Sequence, residues 1–177
     1  MGKSINKVLI TGGAGFIGSN VAKVLINEGY EITILDNFLP QIHGDKNELS
    51  ADLKDKVSLI RGDVSDKELL YSALEGQDAI IHYAAETGTG QSMYAVSHYS
   101  NVNIQATADL CDYIINESHN LKSVIVASSR SIYGEGKYTS PDYGVVYPNS
   151  RTFQNVKESF EVCCPISGKN NLKLEAT

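Results

Sequence analysis

No stretch of this sequence stays apolar for longer than a strand. Runs such as Val8-Leu9-Ile10 fall far short of the roughly 20 residues that a membrane-spanning helix needs, so no membrane partner is expected. Positive charge is also in short supply. With 15 Lys and Arg against 21 Asp and Glu, the formal charge is −6. The broad basic footprint of a nucleic-acid binder is therefore missing, and any bound phosphate must be held by a local device. Cysteine is scarce and odd in number. Cys111, Cys163 and Cys164 have no framework spacing, which argues against a secreted disulfide scaffold and for a reducing, cytoplasmic setting. The opening Met1 to Lys7 lacks an apolar signal core, and Asn6 stands where an N-myristoylation signal requires Ser or Thr. Neither export nor lipid anchoring is predicted.

What is present suits one ordinary core: 177 residues, 42% of them hydrophobic and 20% charged, with no low-complexity tract. Strand-like runs at Lys7 to Thr11, Glu31 to Asp36, Val57 to Arg61, Ala79 to His82 and Ser123 to Ala127 alternate with helix-period segments at Phe16 to Glu28, Asp66 to Leu74 and Val96 to Ser118. Strand, helix, strand repeated in this way predicts an α/β protein with a parallel sheet, and right-handed crossovers limit it to a doubly wound sheet of strand order 3-2-1-4-5. Between strands two and three, Asn37 to Lys56 reads as loop with at most one short helix. After Ser128 the periodicity fades, leaving at most a helical turn around Gln154 to Phe160 and no further strand. Some fifty residues without regular structure are uncommon inside a compact domain and suggest a long functional loop. The expected division is a domain over residues 1–130 and an irregular segment over 131–177.

Directly after the first strand, Thr11-Gly12-Gly13-Ala14-Gly15-Phe16-Ile17-Gly18 opens a helix with the spacing Gly12-x-x-Gly15-x-x-Gly18. Gly12 suits the tight turn, Gly15 lets backbone approach a pyrophosphate, and Gly18 permits close packing of helix on strand. The helix N-terminus then offers free N–H groups and a positive dipole end, a local anion site in an acidic protein. A plain tight turn would use the same glycines, but the strand before, the helix after and an acidic residue downstream favour a dinucleotide. That residue is Asp36, which closes the second strand. Its carboxylate would accept bonds from the adenosine ribose and repel a 2′-phosphate, and no Arg or Lys follows in Asn37-Phe38-Leu39, so NAD is expected rather than NADP. An Asx turn into the loop is the simpler role for Asp36.

Together with Gly12 to Gly18, the segments Asp36-Asn37, Gly62-Asp63-Val64, His82-Tyr83-Ala84-Ala85 and Ser128 to Gly134 resemble the extended short-chain dehydrogenase/reductase superfamily, with its Rossmann fold, in the nucleotide-sugar epimerase and dehydratase branch. Glu86 to Tyr94 and Ser128 to Lys137 look most like the dTDP-L-rhamnose 4-epimerase group. The resemblance implies that Phe16, Ile17 and Asn37 border the cofactor, Asp63 and Val64 contact the adenine, Ala84 and Ala85 line the cofactor, and Asn103 buttresses the central helices. Simpler roles exist: Asp63 as the cap of the next helix, Ala84 and Ala85 as small packing residues. Glu86, Thr87, Gln91 and Ser92 lie past the carboxyl end of strand four, where open α/β sheets place ligands, and would contact the sugar; the glycines among them also fit a flexible loop.

By the same resemblance, Ser129 matches the catalytic Ser or Thr that hydrogen-bonds the sugar's C4 hydroxyl. The implied reaction oxidises C4 transiently with NAD, and a Tyr made acidic by a neighbouring Lys and the nicotinamide acts as base. Tyr133 to Lys137 has the Tyr-x-x-x-Lys letters, but two glycines oppose the helix it requires. Phe153 to Lys157 offers no hydroxyl. In the resembled family the pair follows a segment like Leu172 to Thr177, so the chain is expected to lack its base and its C-terminal substrate lobe. Dehydratases carry Asp-Glu after the catalytic hydroxyl; Arg130-Ser131 stands here and disfavours dehydration. Some relatives carry a Cys-Pro-x-Cys-Gly knuckle, whereas Cys164-Pro165-Ile166-Ser167-Gly168 has too few thiolates for a structural zinc, and no metal is expected. Two readings follow: a nucleotide-sugar 4-epimerase, or an NAD-binding fragment or sensor without turnover. A nucleotide sugar as substrate and homodimerisation or other self-association are the expected partnerships.

Overall fold

The alternating apolar runs build the expected sheet. The computed structural model describes residues 5–158 and 160–175, and the chain separates into two compact units with the boundary between Ala127 and Ser128. In the first unit, β1 (Lys7–Thr11), β2 (Glu31–Asp36), β3 (Ser58–Arg61), β4 (Ala79–His82) and β5 (Ser123–Val126) form one parallel sheet of order β3-β2-β1-β4-β5. The crossovers carry α1 (Phe16–Asn27), the single turn α2 (Pro40–His43), α3 (Lys67–Leu74), α4 (Thr89–Ser92), α5 (Val96–Ser100) and α6 (Ala106–Asn116).

Successive strand residues point to opposite faces, so a sheet covered on both sides needs continuous apolar strands. Val8, Ile10, Ile32, Ile34, Ala79 and Ile81 pack with Ala22 of α1 on one face. Leu9, Leu35 and Ile80 pack on the other with Leu70 and Leu74 of α3 and Ala106, Leu110 and Tyr113 of α6. At the amino ends of the strands, Asp78 draws three of them together. Its carboxylate accepts the Asn6 and Lys7 N–H groups and the Lys122 ammonium, which hold its pKa well below the ordinary carboxylate range. The edge strand β5 is different: Val124, Ile125 and Val126 are 42%, 49% and 53% exposed.

Two sequence expectations need correction here. Val96 to Ser118 is not one α-helix, because Asn101–Gln105 forms a π-helical turn between α5 and α6. The region after Ser128 is not without strands. In the second unit, β6 (Tyr138–Ser140), β7 (Gly144–Val146) and β8 (Lys173–Leu174) make a small antiparallel sheet of order β7-β6-β8, and α7 (Phe153–Glu158) supplies the one helical turn foreseen there. Strands of two or three residues are too short to show a period of two.

Candidate functional site

Parallel strands bring all their carboxyl ends to one edge of the sheet, and the loops after β1, β2 and β4 meet there. Gly12 turns the chain out of β1 with φ of +68°, and its N–H donates to Leu35 O at 2.8 Å. A methyl group on Gly12 would lie 2.8 Å from Ala84 N, and one on Gly18 would lie 2.4 Å from Gly12 O. Gly18 therefore serves close contact of α1 with the turn itself rather than with the strand. Gly13, which the spacing argument passed over, is just as tight: a methyl there would come within 2.8 Å of Ile34 Cγ1.

Gly15 behaves differently. Its φ of −68° suits any residue, and an added methyl would meet nothing closer than Gly12 O at 3.4 Å. The protein leaves that space open at the point where α1 begins. The first-turn amides of Phe16, Ile17 and Gly18 have no acceptor within the helix, and no side chain caps them. Phe16 and Ile17 are themselves exposed. An uncapped helix start beside an unobstructed glycine is a cradle that fits a pyrophosphate.

Asp36 faces this cradle. Oδ2 accepts the Ala14 N–H at 2.9 Å, Oδ1 accepts the Phe38 N–H at 2.9 Å, and His43 Nε2 stands 3.4 Å from Oδ1. The bond to Phe38 makes the Asx turn considered for it, and since a carboxylate has about four acceptor positions, one remains open to a further donor. The turn forces Phe38 to a φ of +53°, rare for a residue with a side chain. Asn37 Nδ2 donates to Asp63 Oδ2 at 2.8 Å, and Asp63 Oδ1 accepts the Ser65 N–H and hydroxyl. Burial works against the Asp63 charge, but the bonds from Ser65 and Asn37 outweigh it and lower the pKa. Asp63 is not the cap of α3; Asp66 is, accepting the Leu69 N–H at 3.1 Å. Val64 is buried in the core, so its side chain packs rather than reaching outward.

A polar network missed by the sequence reasoning ties β1 to β4. The buried Thr11 hydroxyl accepts the Ala84 N–H at 3.1 Å and lies 2.9 Å from His82 Nδ1, to which it donates. The ring proton sits on Nε2, because the Thr107 hydroxyl 3.4 Å away gives its own proton to Asn103 O and has only lone pairs to offer the ring. Burial lowers the His82 pKa and keeps the ring neutral. The signal for Thr11 was a polar residue ending an otherwise apolar strand.

Beyond β4, Asn103 grips the backbone of Glu86 on both sides: its Oδ1 accepts the Glu86 N–H at 2.8 Å and its Nδ2 donates to Glu86 O at 3.0 Å. It sits on the π turn and clamps the loop after β4, where the resemblance implied a buttress for helices. The nearly buried Glu86 carboxylate pairs with His98 Nε2 at 3.0 Å. Thr87 is exposed, and the Ser92 hydroxyl donates to Thr89 O at 2.7 Å. Gln91 Oε1 already accepts from Gln41 Nε2 at 2.6 Å and from the Tyr99 hydroxyl at 3.3 Å. Both lone pairs are taken, so Gln91 can offer a ligand only its amide N–H groups.

The sequence matches the profile of the NAD dependent epimerase/dehydratase family over residues 8–168. The chain belongs to that family. It is 38% identical over 148 residues to dTDP-L-rhamnose 4-epimerase of Burkholderia thailandensis, an alignment that covers 82% of this chain and 40% of the relative. Among solved structures it is similar to UDP-glucose 4-epimerase from Brucella ovis in complex with NAD, at a TM-score of 0.58 and 31% identity over 73% of this chain and 37% of that one. It is also similar to MoeE5 in complex with UDP-glucose and NAD, at 0.58 and 30% identity over 73% and 38%. The chain thus spans about 40% of the length of the curated relative it matches.

In this epimerase/dehydratase chain the remaining expected residues fall in the second unit. Ser129 is exposed, and its Oγ accepts the Ser131 N–H at 3.1 Å, capping a 3₁₀ turn over Arg130–Tyr133. Its hydroxyl proton stays available to donate. Gly134 and Gly136, at φ of +62° and +93°, end that turn, so Tyr133 and Lys137 share no helix face. Phe153 and Lys157 do share one, with Lys157 Nζ 5.1 Å from the Phe153 ring centre. Cys164 is buried in a tight turn closed by the Gly168 N–H to Cys164 O at 2.9 Å, and hydrogen bonds from the Ser167 side chain and backbone lower its pKa. Among the described residues, no three His, Cys, Asp or Glu side chains gather as metal ligands.

Proposed function

We propose that this chain provides the cofactor-binding part of an NAD-dependent nucleotide-sugar 4-epimerase. The observation that carries the reading is the turn from Gly12 to Gly18. Three of its glycines are required by neighbouring protein atoms, while Gly15 alone faces open space at an uncapped helix start. The amides of Phe16, Ile17 and Gly18 bind the pyrophosphate, and Asp36 takes a ribose hydroxyl at its unfilled acceptor position. Asn37 and Asp63 form the adenine wall, with Ala84 and Ala85 along the nicotinamide side. NAD, when bound, supplies reversible acceptance of hydride from the sugar's C4. Ser129 donates a hydrogen bond to the C4 oxygen, and the loop from Glu86 to Ser92, fixed by Asn103, faces the sugar. A dTDP-linked 6-deoxyhexose is the proposed substrate class, supported by the 38% identity to a dTDP-L-rhamnose 4-epimerase, and Arg130-Ser131 in place of the acid pair of dehydratases favours epimerisation over dehydration. Incubation of a protein containing this chain and the rest of its relatives' length with dTDP-rhamnose should yield the C4 epimer. Turnover of other nucleotide sugars without that product would redirect the substrate assignment.

A second reading has its own observation. The sequence holds one Tyr-x-x-x-Lys, at Tyr133 and Lys137, and the glycines between them break the helix that the base requires. These 177 residues alone should hold NAD without epimerising; product formed by the chain alone would refute that. The three unpaired thiols suit a cytoplasmic protein, and no described helix is long and apolar enough to cross a membrane. The exposed valines and isoleucine of β5 lie on a strand with one open edge, the arrangement that invites pairing. Self-association should therefore appear in sedimentation at high concentration, and a clean monomer would argue against it.

A further inference from the structure

A line of hydrogen bonds links the loop after β4 to the loop after β2. The Gly88 N–H donates to the Tyr99 hydroxyl at 3.1 Å, that hydroxyl donates to Gln91 Oε1 at 3.3 Å, and Gln41 Nε2 donates to the same oxygen at 2.6 Å. Gln41 stands on α2 and Gln91 on α4, and β2 and β4 flank β1 on opposite sides. The Gln41 to Gln91 bond therefore bridges the crevice into which the Gly12 to Gly18 turn opens. The same α2 carries His43, 3.4 Å from the Asp36 carboxylate, so one short helix touches both the ribose wall and the bridge.

Gly88 shows that the bridge is seated rather than casual. Its φ of −77° and ψ of 100° are ordinary, so conformation does not require glycine there. Space is occupied instead: a methyl group would overlap Gln91 Oε1 and come within 2.7 Å of the Tyr99 hydroxyl, so an alanine there would displace these side-chain ends. The missing side chain is the seat in which the two polar groups meet.

We propose that Gln41, Gln91 and Tyr99 form a clasp across the dinucleotide crevice that sets how fast NAD leaves it. The proposal rests on the NAD-binding reading above. Exit of an extended dinucleotide from beneath the bridge requires the Gln41 to Gln91 bond to break, so each release event passes through an opened clasp. A bond of this kind has a net worth of roughly 0.5–1.5 kcal/mol, equivalent to about two- to tenfold in the opening equilibrium.

The test loads the 177-residue chain with NADH and follows its fluorescence in a stopped-flow chase with excess NAD. Gln41→Ala, Gln91→Ala and Gly88→Ala, the last pushing Gln91 out of its seat, should each release NADH about two- to tenfold faster at an unchanged melting temperature. The Gln41→Ala/Gln91→Ala pair should be no faster than Gln91→Ala alone, because Gln91→Ala already removes the one bond that Gln41 makes to it. Gln41→Lys, which restores a donor, should release slowly again. Release at the parent rate by Gln41→Ala and Gly88→Ala, with NADH still bound, overturns the clasp alone. Failure of the parent chain to bind NADH at all overturns the functional reading and the clasp with it.

Discussion

Replacing Gly15 with Ala separates binding from folding, and the structure supplies the magnitudes. At φ of −68° an alanine is unstrained, and its methyl would touch only Gly12 O at 3.4 Å, an ordinary contact. Two stability terms oppose each other: stiffening of the unfolded chain favours alanine by about 0.4–1 kcal/mol, and loss of glycine at a helix N-cap disfavours it by about 0.5–1 kcal/mol. The sum is about 0.5 kcal/mol or less, so the melting temperature should stay within about 2 °C of the parent. On the proposed reading, the same methyl projects into the space that the pyrophosphate would take. Keeping the phosphates about 1 Å farther from the α1 amides sacrifices charge-assisted bonds worth about 1.5–3 kcal/mol each, so NAD affinity should fall at least tenfold. Gly18→Ala is the contrast. Its methyl would overlap Gly12 O at 2.4 Å and Gly13 Cα at 2.7 Å, backbone atoms that cannot swing away, and it should destabilise the fold by about 1–3 kcal/mol. Calorimetry with NAD and thermal melts read both quantities. Parent-like affinity in Gly15→Ala, confirmed by an unchanged melt, would refute the assignment of the open space to the cofactor.

Two further outcomes follow from side chains around this turn. Burial lowers the His82 pKa, so the folded protein holds the ring neutral while the unfolded chain takes up a proton near pH 6.5. Stability is fully present above that pH and is lost as pH falls below it, until the folded-state ring also titrates. Melting temperatures should drop more steeply between about pH 6.5 and 5 for the parent than for His82→Asn, which keeps an acceptor for the Thr11 hydroxyl; parallel profiles would contradict the buried neutral ring. Asn103→Leu removes both bonds to the Glu86 backbone. Hydrogen exchange over residues 86–92 should rise about tenfold or more while β1 and β2 stay protected, and an unchanged loop would show that the clamp is redundant.

The fold was legible where burial imposes a period. Val8-Leu9-Ile10 and Ile80-Ile81 are apolar on successive residues because helices cover both faces of the sheet, and that pattern located all five strands to within a residue and gave their order. The π turn was not legible, because it interrupts the apolar spacing by a single residue. Its reason is the site: the extra residue carries the Asn103 carboxamide to both backbone groups of Glu86. The small sheet of the second unit escaped for another reason. β6 pairs with β8 across Tyr138 and Leu174, a partnership that no local period announces, although Pro141 and Gly144 do mark the turn between β6 and β7.

The site divides along the same line. Its backbone devices were readable, since a strand, three spaced glycines, a helix and a strand-end Asp lie close together in the chain and act through amides. The side-chain devices were not, since each depends on residues far apart in sequence: Thr11 with His82, Glu86 with His98, Gln41 with Gln91. Glycine makes the difference concrete. Gly12 is glycine because of φ and Gly18 because of a neighbouring carbonyl, the side-chain space at Gly88 is taken by two movable polar groups, and at Gly15 neither φ nor space asks for glycine. A residue that neither space nor backbone conformation requires to be glycine, placed where a helix presents uncapped amides, is the one that the proposed cofactor would constrain.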